Sequence, residues 1–538
     1  MNSFSALTAS SASGRPSLAF FLLPVCVLLW QAARSRRYFH MLQLNSYRNE
    51  RYVGWLKKNP DSKRALLGIA AGCIVLTALP GGPLAAAAVC LLFLAAAFVV
   101  LRTKRQEKKP FVVTDRVKRQ FFAAGLLLIL LLAAALLGFY ISPVAGLALT
   151  ALLAVLPLPV RLPPAANRLM AGKERRIADS FIRSAAQKLR SQTEMTVVGV
   201  TGSYGKTSVK YILTELLSEK FNTLMTPESY NTPMGVVRTV NERLRPQHQV
   251  FVCEMGARQV GDVREICDIV KPTYGVITSV GIAHLETFKT TENIRKTKFE
   301  LADSLPEQGL AFLNFDSAPI ASSGYSRPHL SYGLTPGLDC YSDEISVDER
   351  GTSFTLHYRD LPPLRLSTRL LGRHNVLNIT GAAAVALTMG VPPTGIVVAL
   401  RRLKPVPHRL ELKGGGPALV IDDAYNASPE GAAEAVRVLG GFADRLRILV
   451  TPGMVELGES EYVANREFGE AAASCCDEVV AVGRVKDALL EGLQRGGFDP
   501  AHFHAVKNLR EALALLPSLQ TRPSVILLEN DLTDDLES

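Results

Sequence analysis

Residues 198–208 read VGVTGSYGKTS. Strand-forming valines give way to Gly202 and Gly205, whose missing side chains let backbone N–H groups wrap an anion, while Lys206 adds a point charge. Thr207 follows, where a hydroxyl can ligate Mg2+. Val209, Ile212, Leu213, Leu216 and Leu217 then recur at helical spacing, which sets the loop at the N-terminus of a buried helix. Strand, glycine loop and helix together predict a phosphate-binding unit. The strict GxxxxGK[ST] spacing is not met, because its first glycine falls on Val200.

Downstream of this loop, short apolar runs alternate with helical patterns. The runs cover residues 197–200, 250–253, 275–280, 418–421, 447–450 and 478–482. Such alternation predicts a mainly parallel α/β sheet, with short strands in the turn-rich segment 309–370. KPVPH at 404–408 interrupts the pattern. It divides a P-loop domain, residues 196–405, from a second, Rossmann-like unit, residues 406–538.

Upstream the character changes. Apolar residues make up 48% of the 538, charged residues only 20%, and mean hydropathy is +0.16. That excess is concentrated in five segments, 17–33, 65–79, 84–101, 121–140 and 143–160, which read as transmembrane helices. Between Gly125 and Tyr140 no polar residue intervenes. Pro80, Gly81, Gly82 and Pro83 form the tip of a helical hairpin. The region 1–165 is therefore expected to be a membrane bundle of about five helices.

Charge orients it. Segments 34–64, 102–119 and 161–190 carry nine, eight and eight Lys/Arg, each against two acids, whereas the opposite turns, 80–83 and 141–142, carry none. The positive-inside rule puts the N-terminus outside and everything after residue 160 in the cytoplasm. Those segments sum to +19 against +11 for the whole chain, leaving the remainder acidic by about 8. The basic charge thus suits membrane lipid headgroups, and no nucleic-acid partner is expected. Only Arg15 precedes the first apolar run while Arg34, Arg36 and Arg37 follow it, so the run reads as an anchor rather than a signal peptide. Residues 166–195 form a basic linker whose stretch 175–190 is amphipathic, with Ile177, Phe181, Ile182 and Leu189 near one face. It either lies along the membrane or packs as a linker helix. Eight cysteines contain no CxxC pair, which argues against zinc ribbons and disulfide frameworks.

Three residues outside the loop draw chemical interest. Glu254 ends the run 250–254, and a carboxylate at the carboxyl end of a parallel strand faces the ligand crevice, where it can hold a metal or simply be solvated. His284 follows the next strand. Lys298 lies four residues after Ile294 and three before Leu301, on the apolar stripe of a helix. Burial there favours the neutral amine, the form that reacts with CO2 to give a carbamate anion. The plainer alternative is a snorkelling lysine.

TGSYGKTS, NTPMG (231–235), EMGAR, GIAHLE, KTKFE, GRHNVLN (372–378), PHRLE and DDAYNASPEG, in this order, resemble the Mur ligase family. The likeness is greatest to its branch that adds D-Ala-D-Ala to a muramoyl peptide. The resemblance implies an ADP-forming ligase of peptidoglycan precursor synthesis that joins a carboxylate to an amine through an acyl phosphate, with ATP and Mg2+ as cofactors. It implies that Gly202, Ser203, Tyr204, Gly205, Lys206, Thr207 and Ser208 bind ATP, with Lys206 and the glycines at its β- and γ-phosphates. Thr207 and Glu254 would ligate one Mg2+, and His284 with carbamylated Lys298 would serve a second. Asn375 and Asn378 would meet adenine, Arg409 phosphate, Asp423 ribose and Asn231 the substrate. Lys206, His284 and Lys298 are the catalytic candidates.

Two departures bear on the substrate. Residues 161–195 leave no room for the domain that grips the uridine part in that family, so the acceptor is either a UDP-linked muramoyl peptide bound otherwise or a lipid-linked precursor delivered at the bilayer. LLEND at 527–531 stands where the branch has a basic KGSR-like stretch, and Ala424 and Ser428 vary its DDSYNANP. Alternatives are a membrane relative that amidates a lipid-linked precursor or extends a glutamate polymer, and a nucleotide-sensing membrane scaffold. The last predicts ionisable groups inside the spans, where the sequence has none.

Overall fold

The structure is a computed structural model that describes residues 17–59, 63–103, 110–227, 230–281, 288, 290–348, 350–405, 408–415, 417–424, 429–454 and 460–530. The chain divides into two compact units, Met1–Ser180 and Phe181–Ser538.

Every described element of the first unit is a helix, and helices cover all five apolar segments. Leu18–Leu44, Gly82–Arg102 and Asp115–Ile141 are long and apolar enough to cross a membrane. Against the five expected, three described helices meet that measure of length and composition. Lys63–Leu76 has 14 residues and Pro143–Val155 has 13, so at about 1.5 Å per residue neither alone reaches across ~30 Å of hydrocarbon. Pro143–Val155 and Leu158–Arg190, bent by 84° at their junction, make a fourth crossing if taken as one broken span. The expected hairpin tip is a kink at Gly82 (φ 64°, ψ −158°).

Small residues bring two of these helices together. A Cβ on Gly146 would lie 2.2 Å from the Phe139 ring, and one on Gly138 would lie 3.2 Å from the Gly146 Cα. Glycines of this kind let apolar helices approach where no hydrophobic force drives them together. The turn between them is set by Ser142, whose hydroxyl accepts from Ala145 N at 3.0 Å, and by Pro143 in the first turn. Leu158–Arg190 is one continuous helix, so no break separates the expected bundle from its linker at residue 165.

The second unit holds two sheets. The first has order β2-β3-β1-β4-β5-β6-β7-β8-β9. Its strands are β1 (Thr196–Thr201), β2 (Thr223–Met225), β3 (Val250–Glu254), β4 (Tyr274–Ile277), β5 (Leu310–Asn314), β6 (His329–Gly333), β7 (Cys340–Asp348), β8 (Gly351–Tyr358) and β9 (Leu364–Thr368). Pairing is parallel from β2 to β7, and β7, β8 and β9 finish as an antiparallel meander.

The strand alternation sorts side chains between two cores. Val198 and Val200 of β1 pack with the helices Lys206–Leu217 and Arg373–Thr388. Val197 points the other way, to Val236, Val240 and Ile266. On that face lies the amphipathic stretch left open above: Ala185 is fully buried, and Ile182 and Leu189 pack beside it. Lys188 Nζ donates to the carbonyls of Val240 and Asn241, both at 3.0 Å. It is a packed helix.

The second sheet has order β10-β11-β15-β12-β13-β14, with β10 (Glu411–Gly415), β11 (Ala418–Asp423), β12 (Leu446–Thr451), β13 (Glu478–Val482), β14 (Phe503–Val506) and β15 (Ser524–Glu529). Only β10 runs antiparallel. The described architecture is thus mixed α/β, each sheet carrying antiparallel pairing at one edge. Residues 406–407, inside the expected domain boundary, lie outside the described residues.

Candidate active site

The glycine-rich stretch folds as its sequence requires. β1 ends at Thr201 and the helix Lys206–Leu217 starts after Gly205, its N-cap. Gly202 has φ +152°, and a Cβ there would sit 2.0 Å from Thr278 Oγ1 and 2.9 Å from Ser279 N. Gly205 has φ +78°, and its Cβ would meet Asn378 Oδ1 at 2.7 Å. Both positions therefore need glycine on two counts, conformation and space.

The loop is tied to the segment following β4. Ser203 N donates to Ser279 O at 2.9 Å, Tyr204 N to Ser279 Oγ at 2.9 Å, and Ser203 Oγ to Gly281 O at 3.1 Å. Thr278 Oγ1 also donates to Tyr204 O. These bonds fix the loop while the first N–H groups of the helix, without intrahelical acceptors, remain as anion donors. Lys206 Nζ donates to the carbonyls of Gly202 (2.8 Å) and Ser203 (2.9 Å). Desolvation lowers its pKa, opposed by Glu254 and reinforced by Arg409.

A cavity of about 470 Å³ opens over this loop, a volume suited to a small-molecule ligand. Of the residues singled out from sequence, Ser203, Tyr204, Gly205, Lys206, Thr207, Ser208, Asn375, Asn378, Arg409 and Asp423 line it. The first sheet and its helices supply most of these, and the second sheet's side supplies Arg409 and Asp423. Asp423 accepts from Leu410 N at 3.1 Å, and burial pushes its carboxyl pKa up. Asn375 is anchored by its own amide, which donates to Leu371 O at 2.8 Å.

Beneath the loop stands Glu254, 1% exposed. Burial removes the solvated-strand-end alternative. Its Oε1 accepts from Thr207 Oγ1 at 3.2 Å and from Asn231 Nδ2 at 2.9 Å. A hydroxyl and a carboxylate oxygen converging beside a phosphate cradle form a donor set that fits Mg2+, a hard cation that takes oxygen ligands. Among the described residues no group of three His, Cys, Asp or Glu gathers to hold a metal. His284, Ser428 and Asp531 lie outside the described residues.

Lys298 is buried, 3% exposed, with Nζ 6.0 Å from the centroid of the Phe288 ring. Its amine pKa falls to about 7, chiefly through burial and next through the nearby positive charge of Lys206. It does not snorkel. The helix Thr291–Asp303 thus holds a largely desolvated amine close to the loop lysine, as its stripe position foretold.

Sequence reasoning missed several residues here. Tyr211, His374, Leu377, Leu403, Lys404 and Glu434 also line the cavity, and Glu434 accepts from Arg373 N at 2.9 Å across the two sheets' elements. Lys210, fully buried against Glu254 at 3.1 Å, was missed as well. Its signal was available: it sits four residues after Lys206, hence on the same helical face.

Comparison with known proteins agrees with this geometry. Residues 200–386 match the Mur ligase middle domain, and residues 408–528 match the Mur ligase glutamate ligase domain. The UDP-N-acetylmuramoyl-tripeptide–D-alanyl-D-alanine ligase of Escherichia coli is 32% identical over 345 residues, 63% of this chain and 74% of that protein. The corresponding protein of Mycobacterium bovis is 32% identical over 359 residues, 62% of this chain and 70% of its own. Among solved structures, MurF from Acinetobacter baumannii superposes with a TM-score of 0.59 at 29% identity, covering 67% of this chain and 79% of its own. MurF ligase from Thermotoga maritima in complex with ADP superposes with a TM-score of 0.55 at 28% identity, covering 66% and 80%.

Proposed function

Because this chain belongs to the Mur ligase family, we propose that it is an ATP-dependent, ADP-forming ligase of peptidoglycan precursor synthesis that joins D-Ala-D-Ala to a UDP-muramoyl tripeptide. The observation that carries the reading is the single cavity to which a glycine loop with Lys206 and Thr207 contributes from the first sheet, and Arg409 and Asp423 from the second. A site assembled from two domains suits an acyl phosphate, which must be shielded from water until the amine arrives.

In the first half-reaction a carboxylate oxygen of the acceptor attacks the γ-phosphorus of ATP and the bond to the β,γ-bridging oxygen breaks, releasing ADP. The charge spread over the phosphoryl oxygens is met by the helix N-terminal N–H groups and by Lys206, already in place. In the second, the amine attacks the acyl carbon, and the tetrahedral intermediate expels phosphate. Thr207 and Glu254 would hold a Mg2+ ion, which supplies charge neutralisation at the phosphates. Lys298, as a carbamate, together with His284 would serve a second cation. Asn231 orients Glu254 through its amide as well as standing ready for substrate. Asn375, Asn378 and Asp423 take the nucleoside.

The bundle favours a second reading of the acceptor. All described elements before Thr196 are helices, and the apolar ones suit a bilayer, with the sheets on the cytoplasmic side by the charge rule. On this reading the enzyme is a multi-pass protein of the bacterial cell membrane, and its acceptor is a lipid-linked muramoyl peptide. Amine-dependent phosphate release, measured with UDP-muramoyl tripeptide and with a membrane-extracted precursor, separates the two. Turnover on neither removes the ligase assignment.

A further inference from the structure

The helix behind the loop carries a second lysine. Lys210 is wholly buried, with Nζ 3.1 Å from Glu254 Oε2, and the carboxylate side chain is itself only 2% exposed. The Tyr211 ring covers the ammonium at 4.8 Å. The other carboxylate oxygen, Oε1, is the one that accepts from Thr207 and Asn231. Glu254 N in turn donates to Thr226 Oγ1 at 3.0 Å, fixing the main chain behind the side chain. The two oxygens of one carboxylate therefore have separate tasks, one held by an ammonium and the other turned to the loop.

A buried ion pair is an expensive way to fill space, since apolar residues of similar volume are often as stable or more so. Its value here is orientation. A carboxylate with both oxygens free can rotate and clasp a cation through both, a mode that the larger, flexible shell of Ca2+ accepts and the strict octahedron of Mg2+ disfavours. With Oε2 occupied, only Oε1 is offered, on the side of Thr207.

We infer that Lys210 is a positioning residue that makes Glu254 a one-oxygen ligand, and so sets the preference of the nucleotide site for Mg2+ over Ca2+. The inference rests on the nucleotide-site reading above. It assigns to the helix Lys206–Leu217 two lysines with different work, the first toward phosphate and the second toward the carboxylate.

The test follows binding of a fluorescent ATP analogue to the full chain in detergent, titrated with Mg2+ or Ca2+ or with neither, beside the melting temperature of each variant. For the unaltered protein, Mg2+ should tighten the analogue at least about fivefold more than Ca2+. Lys210→Met should raise the Mg2+ concentration for half-saturation about tenfold and erase most of the Mg2+/Ca2+ difference, leaving cation-free affinity within about twofold. Lys210→Gln, which keeps a donor within reach of Oε2, should recover much of that preference. Folded variants with the original Mg2+ half-saturation and preference overturn the inference. So does an unaltered protein that shows no preference, a result that needs no variant. No binding of the analogue under any condition instead removes the nucleotide-site reading.

Discussion

The ammonium of Lys206 donates to the carbonyl oxygen of Gly202, four residues back, at 2.8 Å. The lysine proposed to meet the transferred phosphoryl group is thereby held over its own loop by main-chain carbonyls. Lys206→Ala should lower amine-dependent phosphate release by about 10³-fold, the scale of losing a preorganised transition-state donor, with circular dichroism unchanged. Lys206→Arg should not restore it, because a planar fork does not replace a compact ammonium in this space. Phosphate release by Lys206→Ala at the unaltered rate contradicts the assignment.

Lys298 holds a desolvated amine with a pKa near 7. Below that pH the ammonium dominates and cannot take up CO2, so kcat/KM should fall as pH drops from about 8 to about 6. Lys298→Ala should cost about 10²-fold or more in rate, partly restored by short-chain carboxylic acids that supply the missing anion. Full activity of Lys298→Ala without added acid would show that no carbamate is used.

Glu529 ends β15 almost fully buried, accepting from Thr451 Oγ1 at 2.8 Å. Burial, with a further push from Asp423, raises its pKa from 4.5 to about 8. The sign follows from linkage. The unfolded chain ionises first, so the stability this group contributes is full below about pH 4.5 and is lost as pH climbs through about 8. Glu529→Gln should melt higher than the parent at about pH 8.5, by about 4 °C, with the gap closing toward pH 5. An unchanged gap across that window refutes the buried-acid account.

In the apolar unit, Gln31 Nε2 donates to the carbonyls of Leu153 (2.8 Å), Ala154 (3.2 Å) and Leu156 (3.1 Å). Leu153 and Ala154 stand in the last turn of the helix Pro143–Val155, where carbonyls lack intrahelical donors, while Leu156, its C-cap, also accepts from Leu158 N at 2.7 Å. Gln31→Leu should lower the melting temperature in detergent by about 4 °C or more while nucleotide affinity stays the same. A variant as stable as the parent shows that the carbonyls find other donors.

What the sequence revealed and hid follows from the range of each interaction. The strand, loop and helix around Lys206 were legible because the apolar period switches from two to about 3.6 within a dozen residues. Burial of Lys298 was legible from its spacing to Ile294 and Leu301. The two short apolar helices were not, since composition measures greasiness and says little about where a helix stops. Gln31 gave no signal, because its partners lie more than 120 residues away. Lys210 shares the helical face of Lys206, but its pairing was hidden, as a lysine next to a tyrosine reads as a wet helix face until the carboxylate opposite is known.

The most direct test of the central claim follows an oxygen. Acceptor labelled with ¹⁸O in its reacting carboxylate is incubated with ATP, amine and purified protein, and the released orthophosphate is analysed by mass. Activation through an acyl phosphate predicts one ¹⁸O in each phosphate formed with amide product. Amide product accompanied by unlabelled phosphate contradicts it.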